Sequence, residues 1–114
     1  MKKHLQELTN NRFHVAVSIL CDEYDIDANV FFSRLTRQSK IVEARRFLIY
    51  YCFKELNIKK SHISKYILIL KNHATMLHHI KQHEAMTKYE KTYCDRYNEF
   101  LDHIKCETQI YNYE

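Results

Sequence analysis

Apolar residues recur at helical spacing through most of this chain, and one stretch is far denser than the rest. Within Ile41 to Leu56, IVEARRFLIYYCFKEL, the centre from Phe47 to Phe53 is seven apolar residues in a row. Good helix formers flank it and nothing breaks it, so the pattern predicts one long helix. A helix apolar on all sides is normally enclosed by others, and the rest of the chain is expected to pack around this one.

Upstream, residues 1–10 read as a frayed end or a short first helix. Asn10 or Asn11 can cap a helix through RFHVAVSILCDEY, whose Phe13, Val17, Leu20, Cys21 and Tyr24 share a face. Asp25, Asp27 and Asn29 make a break. VFFSRL follows as a short helix with Val30, Phe31 and Phe32 directed at the core. Arg34 to Lys40, RLTRQSK, is a basic loop, and Ser39 can cap the central helix with Glu43 near its dipole.

Downstream, NIKKS is a short linker. Ser61 can cap a helix with Ile63, Tyr66 and Ile67 facing inward, and Leu70 and Lys71 make a turn. Asn72 can cap a second helix, HATMLHHIKQHEAM, with Met76, Leu77 and Ile80 as its buried stripe. Two short helices about a tight turn, the second polar and basic at its start, follow helix-turn-helix logic. Thr87 to Glu90, TKYE, reads as a capping box opening a long last helix within 87–110. Along it Tyr89, Tyr93, Tyr97, Phe100 and Ile104 form one face, which either packs back on the domain or serves a homodimer. The fold class is all-α, a single domain over 1–114 with five to six helices.

Composition narrows the function. The 114 residues include neither glycine nor proline. An all-β fold is disfavoured, and the glycine-dependent phosphate loop, dinucleotide fingerprint and nucleophile elbow are absent, so no nucleotide cofactor is expected. No apolar run approaches a membrane span and the N-terminus lacks a signal-peptide core, which points to a cytoplasmic protein without a membrane partner. The four cysteines are scattered with no CxxC pair and read as reduced thiols.

Charge is segregated. Between residues 34 and 91 there are 13 Lys/Arg and 4 Asp/Glu, whereas both flanks are net acidic. Such a basic middle suits a polyanion.

In order, SILCDEYDI, the basic loop RLTRQSK, VEARRFLIYYCFKEL and KNHATMLHHIKQ resemble the C-terminal DNA-binding domain of the bacterial replication initiator DnaA, in the Trp-repressor-like helix-turn-helix group. The resemblance covers roughly Val17 to Ile104. The chain departs from that family at Ile69 and Leu70, where the family has a glycine pair, at Asn72 in place of an Asp, and at Ala74 in place of a Thr. It implies double-stranded DNA as partner, in replication-origin recognition or transcriptional regulation. The initiator's ATPase domain has no counterpart here.

The second helix of such a motif enters the major groove N-terminus first. That places Lys71, Asn72, His73, Ala74 and Thr75 at base edges, with His78 one turn on. Lys71 can reach phosphate or guanine. Asn72 either pairs with adenine or caps its helix, but not both with one oxygen. Arg34, Arg37 and Lys40 stand where the family reaches the minor groove, and arginine favours narrow A·T-rich grooves. Arg45, Arg46, Lys60 and Lys65 are assigned to phosphates.

No catalytic grouping emerges from the spacing, and no enzymatic activity is expected. His79 and His83 are four apart, as a metal pair would be. Ile80 stands where a metalloprotease motif needs Glu, and no further ligand cluster is near, so these histidines read as surface groups or phosphate donors. The alternative class is a helical interaction module that uses the aromatic face of the last helix.

Overall fold

The computed structural model describes the backbone of residues 2–31, 39–63 and 73–112, and the side chains of 11–31, 39–63 and 74–108. Six helices and no strand are found among the described residues: α1 (Lys2–Tyr24), α2 (Ala28–Phe31), α3 (Ser39–Lys54), α4 (Lys60–His62), α5 (His73–Tyr89) and α6 (Lys91–Asn112). The all-α expectation is met.

α3 is the central element. Its Ile41, Ala44, Phe47, Leu48, Ile49, Tyr51 and Cys52 are all buried. α1 and α5 pack on it, and α6 packs on α1 and α5. Phe47 is the aromatic hub: its ring lies 5.0 Å from Tyr93, 5.2 Å from Tyr97, 6.0 Å from Phe100 and 6.3 Å from Tyr24, centroid to centroid. Four members of the stripe on the last helix, Tyr93, Tyr97, Phe100 and Ile104, are thus inside the chain's own core, while Tyr89 is 77% exposed. Glu43 ties three helices together. It accepts the Tyr24 hydroxyl at 2.5 Å and pairs with Arg96 at 2.6 Å.

Several expected boundaries move. α1 runs unbroken past Asn10 and Asn11, so neither caps it. Each asparagine costs a helix interior no more than about 0.7 kcal/mol relative to alanine, and with no glycine or proline nearby the burial of Ala16 and Leu20 prevails. α4 begins at Lys60, which puts Ser61 inside it. Val30 is exposed at 39%, and Phe31 alone of the described α2 residues enters the core.

The TKYE box does not cap. Thr87 lies within α5, and its hydroxyl bonds back to the Glu84 carbonyl at 3.0 Å, the use a mid-helix threonine commonly makes of its side chain. The corner falls at Glu90. Its amide donates to Met86 at 2.8 Å and its carbonyl accepts from Cys94 at 3.0 Å, so helical bonding continues through the bend.

Without glycine, left-handed positions fall to Asp25 (φ 52°) and Asn57 (φ 54°), residue types that tolerate that region. At Asp25 the closing bonds are Ile26 amide to Cys21 carbonyl, 2.9 Å, and Asp25 amide to Asp22 carbonyl, 3.4 Å. That is a Schellman end, with Ile26 buried beyond it.

Candidate nucleic-acid interface

Thirteen positions were expected to meet DNA, and the described residues place eight of them at least in part. Arg34, Arg37, Lys65, Lys71 and Asn72 lie outside the described residues, as does the turn from Ile67 to Asn72. For His73 only the backbone is described, as the first residue of α5.

The first turns of α5 face outward on one side. Ala74 and His78 are exposed and Thr75 is half-buried, while Met76 and Ile80 are buried toward α3. Lys81 and Gln82 continue the exposed ridge. The sequence reading did not single out Lys81. Its signal was available, since it stands three residues beyond His78 on the same face.

Beside this ridge, α3 brings its arginines. Arg46 donates from Nε to His79 Nδ1 at 3.4 Å and from Nη1 toward the Met86 sulfur at 3.4 Å. Arg45 donates from Nε to the Phe31 carbonyl at 2.7 Å and from Nη2 to the Val30 carbonyl at 3.2 Å, tying α3 to α2. Each arginine therefore spends part of its guanidinium on partners within the chain. Lys60 rests over the Phe53 ring at 5.0 Å, and Lys40 is exposed in the first turn of α3.

The electrostatics of His79 report how close these groups are. Its pKa is pushed down to about 4, first by burial and then by the charges of Arg46, His78 and Arg45. Arg45 and Arg46, midway along α3, thus bring positive charge beside His79 on α5.

His83, also expected at the surface, is 1% exposed. It stacks on Tyr50 at 4.0 Å, meets Tyr97 edge-on at 4.4 Å, and its Nδ1 lies 2.7 Å from the Tyr93 hydroxyl. Burial and Arg46 lower its pKa to about 4. The i, i+4 spacing with His79 puts both on the α3-facing side of α5, where apolar periodicity and histidine spacing coincide. His79 and His83 take different partners, and no group of three or more His, Cys, Asp or Glu among the described residues could hold a metal ion. The cysteines are free thiols. No described helix is long and apolar enough to cross a membrane.

Comparison of the chain with family models, with curated proteins and with solved structures finds no match.

Proposed function

We propose that the chain is a sequence-preferring double-stranded DNA-binding protein, a free-standing relative of the DnaA C-terminal domain. It acts in replication-origin recognition or transcriptional regulation. In this reading the first turns of α5 enter the major groove, with Asn72, His73 and Ala74 at base edges and Lys71, His78 and Lys81 at phosphates. The basic segment Arg34, Arg37 and Lys40 reaches an A·T-rich minor groove.

The observation that supports it is the positive charge of Arg45 and Arg46 beside His79 on α5, next to the exposed His78. A duplex, with one negative charge per roughly 1.7 Å of axis, is the partner such a field suits. The inward bonds of Arg45 and Arg46 give them a supporting role: they hold α2 and α5 in place and contribute charge at longer range.

Fluorescence anisotropy against random and A·T-rich duplexes, with a salt series, tests this. Binding is expected to weaken on the order of 10³-fold over a fourfold rise in salt if about six phosphates are contacted. Replacing Asn72 and His73 with alanine is expected to abolish the difference between duplexes while leaving the salt-dependent component. No binding to either duplex at low salt overturns the proposal.

A further inference from the structure

A concavity lies by the C-terminal end of α3, lined from α1, α3 and α6. Its volume is about 220 Å³. Its lining includes the apolar Leu101 and Ile104 and three charged side chains: Arg12 from α1, Glu55 just past α3, and Lys105 from α6. None of the three forms an ion pair with another among the described residues.

Two hydroxyls complete the lining. Tyr51 is 4% exposed, its ring held edge-on against Phe100 at 5.7 Å, and its hydroxyl opens on the cleft with no hydrogen-bond partner among the described residues. Because it opens on the cleft rather than being sealed in the core, this hydroxyl can bond to whatever occupies the cleft. Thr108 donates its proton to the Ile104 carbonyl at 2.7 Å, which leaves its oxygen free to accept. Arg12 and Glu55 line the same cleft as this hydroxyl.

We propose that this cleft binds a small zwitterion of amino-acid size. Arg12, Lys105 and the Tyr51 hydroxyl take its carboxylate, Glu55 and the Thr108 oxygen its ammonium, and Leu101 with Ile104 its apolar body. A simple anion would meet Glu55 and a simple cation would meet Arg12 and Lys105, so only a molecule carrying both charges satisfies the lining. The volume sets the size, since it falls below the roughly 300 Å³ at which pockets for drug-sized ligands begin. The site is independent of the DNA reading and uses none of its residues.

The test is a titration of the whole chain followed by amide NMR, with three probes: L-leucine, 4-methylpentanoate, which lacks the ammonium, and 3-methylbutylamine, which lacks the carboxylate. L-leucine is expected to shift Tyr51, Leu101 and Lys105 saturably with a dissociation constant below about 1 mM, and each truncated probe to bind at least about tenfold more weakly. Tyr51→Phe removes only the unpartnered hydroxyl and is expected to weaken L-leucine about tenfold; Lys105→Gln, at an exposed side chain, is expected to do the same. Equal binding of 4-methylpentanoate and L-leucine overturns the zwitterion assignment. No saturable shift with L-leucine up to about 10 mM overturns the site.

Discussion

The Nδ1 atom of His83 and the hydroxyl oxygen of Tyr93 lie 2.7 Å apart inside the core, joining α5 to α6 through a polar bond enclosed by aromatic rings. The neutral imidazole makes this bond in either tautomer. The charged form is disfavoured by its enclosure and by Arg46 nearby.

Acid is therefore expected to destabilise the fold at this point. The folded-state pKa of His83 is about 4, below the ordinary value of 6.5, so the unfolded chain binds the proton more readily. The stabilisation is fully present above about pH 6.5, declines as pH falls, and is exhausted below about pH 4. The shift corresponds to about 3 kcal/mol, and His79 acts in the same direction. Urea midpoints between pH 7.5 and 4 measure it. His83→Phe is expected to lower the plateau, because Tyr93 loses its partner, and to flatten the slope; an unchanged slope contradicts the assignment.

Phe47 meets rings from α1, α5 and α6. Phe47→Ala is expected to cost about 3–5 kcal/mol, and Phe47→Leu distinctly less, because the smaller change leaves a smaller cavity. Against the 5–15 kcal/mol typical of a domain, the alanine variant is close to unfolding, and guanidinium melts of the two rank them.

Arg45 and Lys40 are both basic residues of α3, yet they separate in role. Arg45→Ala removes the bonds to the carbonyls of Val30 and Phe31 and is expected to cost about 1–2 kcal/mol of stability. Lys40→Ala is expected to leave stability within about 0.5 kcal/mol and, if the DNA reading holds, to reduce the salt slope of binding by about 0.9. Thermal melts and salt titrations of both variants check the contrast.

Asn57 holds a left-handed conformation after α3. Asn57→Ala is expected to cost about 1 kcal/mol and Asn57→Gly to be neutral or better, since only the former adds a β-carbon clash without asparagine's local compensation. Denaturation midpoints compare the two.

Apolar periodicity carried most of the fold. The seven-residue run marked α3, and the stripe from Tyr93 to Ile104 marked the inner face of α6. Local polar signals misled where packing outweighed them: Asn10 and Asn11 inside α1, Thr87 inside α5, Ser61 inside α4. The histidines misled for a different reason. A neutral imidazole stacked on Tyr50 serves as an aromatic core residue, and spacing alone does not distinguish that from a surface group. Ala74 and His78 lie outward as expected, because Met76 and Ile80 fix which side of α5 faces α3. The inward turn of Arg45 and Arg46 depends on the carbonyls of α2 and on His79, partners distant in sequence.

Glu90 alone separates α5 from α6, and the amide ladder passes through it. That elbow has no slack. One extra residue there would swing every side chain of α6 through about 100°, and the rings that now meet His83 and Phe47 would point elsewhere. The two limbs are geared in phase, so loop-length drift, which many helical proteins absorb at their connections, has no room at this one.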